Sequence, residues 1–154
     1  MISSDSLKEI SNIFCSNTVG FYAYKQGNKL VEFFNTNFGT KDVYGSGFPS
    51  RWVYVHDKLV YLINNRQIDI FFNIVLNKNY LMQEQSLSEV EAAEKIEMIY
   101  NEFNNIIRRD LCKITRSSGR YHLVRESDDL VPIGNGGFAN VYRQKSTGLV
   151  IKKL

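Results

Sequence analysis

Cysteine and histidine are scarce in this chain: two of each, Cys15 and Cys112, His56 and His122. Neither cysteine belongs to a C-x-x-C pair, so no disulfide framework or thiolate zinc site is encoded, and a reducing cytoplasm is the expected compartment. The histidines lie far apart in sequence, which argues against a metal site. Long apolar runs are also missing. The most apolar stretch, residues 68–76, is broken by Asp69 and Asn73 and is too short to span a membrane. The first residues, Met1-Ile2-Ser3-Ser4-Asp5, lack the basic region and apolar core of a signal peptide. No Gly-Lys-Ser/Thr phosphate loop, internal repeat or low-complexity segment is present.

What remains is a globular composition, 154 residues with 44% hydrophobic and 13% aromatic content, enough for one core or for one domain and a piece of another. Charge is uneven. Residues 1–110 carry 11 basic and 13 acidic side chains, net −2, whereas residues 111–154 carry 8 basic and 3 acidic, net +5. A basic tail suits a nucleotide phosphate, RNA or an acidic surface, and equally a solvated hairpin. Most of the aromatics stand at helical spacing among Ile and Leu. That pattern fits core packing better than the alternation of aromatic and basic residues used to stack single strands, so nucleic acid is not an expected partner.

Along the chain, Ser4 or Ser6 caps a first helix reaching about residue 14, with Leu7, Ile10, Ile13 and Phe14 on one face. Gly27 and Asn28 break the chain, and residues 29–37 read as a second helix. Residues 39–51 are irregular. Helices are predicted at 53–64, 67–76 and 89–109. The last opens on the capping box Ser88-x-x-Glu91 and carries a stripe of Val90, Ala93, Ile96, Ile99, Phe103 and Ile106. A hairpin comes next over 111–115 and 120–124, with Ser117-Ser118-Gly119 as its turn. Glu126-Ser127-Asp128-Asp129 is a charged linker candidate. The division is therefore residues 1–126, a mostly helical domain closing with a hairpin, and residues 127–154.

The last part opens with a glycine-rich turn, Ile133-Gly134-Asn135-Gly136-Gly137-Phe138-Ala139, and continues as strand. Ala139 to Arg143 and Gly148 to Ile151 are strand-like, with Ser146-Thr147-Gly148 between them. A dinucleotide fold requires a helix after its glycines, whereas this chain places a strand there. The order of glycine loop, strand, tight turn and strand ending in Lys resembles the start of a protein kinase N-lobe. By that resemblance, Gly134, Gly136 and Ala139 take the G-x-G-x-x-G positions, with Ala139 a mild departure from the third glycine. Phe138 is the tip aromatic, and Ile133 and Val141 sandwich the adenine. Leu149-Val150-Ile151-Lys152 matches V-A-I-K, which makes Lys152 the lysine that pairs with the phosphates. The fold class implied is α+β: a helical N-terminal domain with a terminal hairpin, then the first three strands of a kinase-like N-lobe. The resemblance implies ATP as cofactor, with Mg in the full-length parent, and a protein substrate of that parent, a bacterial serine/threonine kinase.

Neither H-R-D-x-x-x-x-N nor D-F-G occurs in the 154 residues, so the aspartates that accept the substrate proton and hold Mg²⁺ are not in this chain, and it should not catalyse alone. The alternative is a non-catalytic interaction or adaptor protein with a relic kinase hairpin. A second resemblance covers residues 7–124. The helix Leu30-Val31-Glu32-Phe33-Phe34-Asn35, the loop from Asp42-Val43-Tyr44 to Gly47-Phe48-Pro49-Ser50-Arg51, and the long helix closing in a hairpin are similar to N-terminal domains of bacterial abortive-infection proteins. That similarity implies a sensing or adaptor role in phage defence. Within the loop, Arg51 and Trp52 are candidates to bind an anion or stack on a base. The competing reading has Phe48 and Trp52 plugging the core and Arg51 capping a helix or pairing with an acid. The apolar strand edge at Leu149-Val150-Ile151 is expected to pair with a second copy, giving a homodimer, or with the 111–124 hairpin.

Overall fold

The computed structural model describes residues 1–126 throughout, and residues 130–136, 139–144 and 150–153 as backbone. Six helices come first: α1 (Ser4–Phe14), α2 (Gly27–Phe38), α3 (Arg51–Asn64), α4 (Ile68–Val75), α5 (Lys78–Gln85) and α6 (Glu89–Ile107). A 3₁₀ turn (Arg108–Asp110) leads into the antiparallel hairpin β1 (Cys112–Ser117) and β2 (Arg120–Arg125). A separate antiparallel sheet completes the described chain, in the order β3 (Leu130–Gly136), β4 (Ala139–Gln144), β5 (Val150–Lys153). The chain is thus α+β. No helix among the described residues is long and apolar enough to cross a membrane.

The helix starts are set by capping chemistry. At α6 the Ser88 hydroxyl accepts from the Glu91 amide while the Glu91 carboxylate accepts from the Ser88 amide, so the capping box is complete. At α1 the cap is Ser3, not Ser4 or Ser6; its hydroxyl accepts from the Ser6 amide at 3.2 Å. Ser3 also donates through its amide to Asp110 at 3.0 Å, and Arg109 pairs with Glu9, so the start of α1 is tied to the end of α6. Gly27 and Asn28 do not break the chain; they form the first turn of α2. With no Cβ at Gly27, the Tyr44 ring lies directly against the first turn of α2; a Cβ there would displace that ring and come within 3.3 Å of Phe48.

One aromatic lattice fills the helical core. Phe71 stacks on Phe34 at 6.3 Å and meets Phe14 edge-on at 5.4 Å, and Phe72 tilts against Phe103 at 5.9 Å. All five rings are buried. The inward stripe of α6 is Ala92, Ile96, Ile99, Phe103, Ile106 and Ile107. Val90 and Ala93, which the sequence pattern places on that stripe, are exposed. The 3.6-residue period extended back from Ile96 lands on Ala92.

The hairpin belongs to this core through Cys112 and Ile114. Its two-residue turn has positive φ at both Ser118 (52°) and Gly119 (74°), the geometry that matches strand twist. Side-chain amides stand where neighbouring strands would be. Asn104 of α6 accepts from the Ile114 amide at 2.7 Å and donates back to the Ile114 carbonyl at 3.1 Å. Asn73 of α4 accepts from the Tyr121 amide at 2.9 Å and donates to its carbonyl at 2.8 Å, and Asp69 accepts from the Leu123 amide at 2.8 Å. Each outer edge is thereby occupied at its centre, Ile114 on β1 and Tyr121 with Leu123 on β2, which hinders pairing with another chain. Among the described strands the hairpin pairs only with itself.

Asn104→Ala should be felt at one atom. The Ile114 carbonyl keeps the Tyr100 hydroxyl at 2.8 Å, but the Ile114 amide loses its partner. An orphaned buried donor costs about 1–3 kcal/mol, readable as a lowered urea midpoint with unchanged slope. A midpoint equal to wild type would show that water replaces the amide.

Candidate functional site

The glycine-rich strands are positioned by backbone register. Gly134 on β3 stands opposite Val141 on β4, and Val141 stands opposite Lys152 on β5. Three of the residues singled out from sequence therefore form one row across the sheet, brought together from separate strands. Asn135 pairs with Asn140 and Gly136 with Ala139. Ile133 falls at a register shift between Pro132 and Gly134. Gly137 and Phe138, the Ser146-Thr147-Gly148 stretch, Leu149 and the 127–129 linker lie outside the described residues.

A second site forms in the helical domain where the loop preceding α2 meets the loop preceding α3. Arg51, the first residue of α3, reaches back to the end of α1. Its guanidinium donates to the Cys15 carbonyl at 2.5 Å, to the Lys25 carbonyl at 3.0 Å and to the Asn17 side-chain oxygen. Arg51 thus caps a helix C-terminus, the competing reading of this residue, where a cation also complements the helix dipole. Phe48 and Trp52 are partly buried against the core. The same guanidinium lies 4.1 Å from the Tyr24 ring and lines a cleft of about 550 Å³ shared with Tyr24, Tyr44, Phe48 and the first residues of α2. The 39–50 loop is fixed beside it. The Asp42 carboxylate accepts from Tyr54 at 2.7 Å and pairs with Lys58 at 2.8 Å, while Asn35 binds both backbone groups of Asp42. The Lys58 ammonium holds the Asp42 carboxyl below its ordinary range.

Beneath these loops lies a buried ion pair. Lys25 meets Glu84 of α5 at 2.5 Å, each side chain only 10% exposed. The ammonium also donates to the carbonyls of Phe14 and Ala23, at 3.3 and 3.0 Å, and sits 4.5 Å from the Phe14 ring. Burial pushes the Lys25 ammonium down, opposed by Glu84. Tyr22 and Tyr80 flank the pair, and burial pushes both phenols up. No group of His, Cys, Asp or Glu among the described residues is arranged to hold a metal.

The phenols set an alkaline limit. Tyr22, Tyr54 and Tyr80 are all raised above the ordinary 10.0, burial first in each case. A raised phenol stabilises the fold fully below pH 10, and that contribution is lost as pH rises through the folded value, because the unfolded chain then releases protons first. Lys25 acts oppositely just below its ordinary 10.5, where deprotonation relieves its burial. Urea midpoints should therefore fall above about pH 10.5, and Tyr22→Phe should flatten the fall. A midpoint independent of pH in that range would contradict the burial of these hydroxyls.

Comparison with protein-family models, with curated proteins and with solved structures finds no significant match to the chain.

Proposed function

We propose that this chain is the N-terminal part of a bacterial serine/threonine protein kinase, a helical regulatory module followed by the ATP-binding glycine-rich strands, acting in phage defence. The observation that supports the reading most is the row Gly134, Val141, Lys152 across three antiparallel strands. By the kinase resemblance, glycine would let the backbone approach phosphates closely, Val141 would pack on the adenine, and Lys152 would pair with the phosphates. These residue types in this row fit ATP. When bound, ATP supplies the transferable phosphoryl group. This chain's part is to bind and orient it, and Mg belongs to residues of the parent that the 154 do not include. A homodimer through the β5 edge is proposed on the same strands.

Binding by half a cleft is weak, because pockets bind well only when they enclose most of a ligand. The 154-residue chain should hold ATP more weakly than about 1 mM, near ~4 kcal/mol. It should label no substrate above a heat-killed control, since neither required aspartate is present. Labelling by this chain alone would overturn the kinase reading. A coding sequence that continues past Leu154 with H-R-D and D-F-G would support it, and a stop there would favour the adaptor with a relic hairpin.

A further inference from the structure

We propose that the cleft beside Arg51 in the helical domain binds a nucleoside phosphate, with the base held by Tyr24 and Tyr44 and the phosphate drawn to the guanidinium. The site stands on residues 1–126 and does not depend on the glycine-rich strands. Its first support is charge. The hydrogen-bond acceptors of Arg51 are neutral, two backbone carbonyls and an amide oxygen, and among the described residues no acidic side chain lines the cleft. A positive charge held in a partly desolvated site without a counter-ion attracts an anion.

The second support is the pair of rings. Tyr24 and Tyr44 line the cleft from different loops and are 64% and 53% exposed. Tyr24 already stacks with Arg51, and Tyr44 leans on Phe48 at 4.7 Å. Arg51 covers one face of Tyr24 and Tyr44 rests on Phe48 and Gly27, so each half-exposed ring is fixed by one neighbour. Exposed aromatics near an arginine are elements that stack bases and neutralise phosphates. The volume, about 550 Å³, is of the size small-ligand sites have.

The third support is pre-organisation. Arg51 pins the loop before α2 through Cys15, Asn17 and Lys25, and Asp42 pins the loop before α3 through Asn35, Tyr54 and Lys58. The walls are therefore fixed before a ligand arrives, which lowers the ordering cost of binding. In addition, neither Gln26 nor Ser50 caps its helix with a side-chain bond, and both residues line the same cleft.

The test is an amide NMR titration of the whole chain with adenosine 5′-monophosphate, alongside adenosine and inorganic phosphate separately. The expected result is movement of the Gly27, Ser50 and Arg51 amides with the nucleotide, and weaker binding of either half alone. Tyr24→Ala and Tyr44→Ala, both at exposed rings, should each weaken the nucleotide at least about fivefold while leaving the remaining spectrum in place. Movement confined to residues 130–153, equal binding of inorganic phosphate, or undiminished binding by both variants would overturn the proposal and leave Arg51 as a staple for α1.

Discussion

Glu84→Gln should destabilise the fold by about 3–5 kcal/mol, the size expected when one member of a buried ion pair is removed and the other is left charged. Glutamine keeps the shape of the side chain and an oxygen for the Ala23 amide, which Glu84 accepts at 2.7 Å. What it removes is the counter-charge to a Lys25 ammonium with an aromatic ring 4.5 Å away and little water. The carbonyls of Phe14 and Ala23 solvate that ammonium but do not neutralise it. The pair joins the loop before α2 to α5, a helix with a single buried residue of its own, Leu81. Loosening should therefore show first as faster amide exchange in α5. Lys25→Met with Glu84→Met should recover most of the loss, since replacing both charges by apolar groups removes the desolvation cost as well. A Glu84→Gln cost below about 1 kcal/mol would mean that the pair behaves as an exposed one.

How far the sequence discloses this architecture depends on where the determining interactions lie. The start of α6 is legible because both halves of its capping box are local, Ser88 and Glu91. The hairpin is legible because Ser118-Gly119 supplies two positive φ values in adjacent residues. Helix α5 escapes the reading: Lys78 to Gln85 is polar, and the contacts that hold it come from Lys25 and the core. The phase of the α6 stripe is misjudged by Val90, a large apolar residue that the first turn directs to solvent. After residue 130 the row of Gly134, Val141 and Lys152 comes from strand register, which residue type alone does not state. The Arg51 cleft is only half legible. The 47–51 loop stands out through its glycine and proline, but Tyr24 comes from a distant loop with no periodicity. The main partners of Arg51 are backbone carbonyls, which leave no trace in residue type.

Lys152→Ala in the proposed parent kinase has the second large expected effect and bears on the kinase reading most directly. Lys152 stands opposite Val141, which in turn stands opposite Gly134, so its position is set by two strand pairings rather than by a loop. Alanine keeps a residue that a strand accommodates and deletes the charge that, on the kinase proposal, pairs with the phosphates. The residues of the helical core, from Ile2 to Ile114, belong to other elements, so helix content should not change. The measurement is phosphoryl transfer from ATP to substrate by the full-length wild type and the variant, with far-ultraviolet circular dichroism as the control for folding. The account predicts transfer reduced at least about a hundredfold, as when a fixed donor to transition-state charge is lost, with the helical signal intact. Transfer at the wild-type rate with alanine at position 152 would contradict it, because the phosphate-pairing lysine would then lie elsewhere and the row across β3, β4 and β5 would carry no nucleotide.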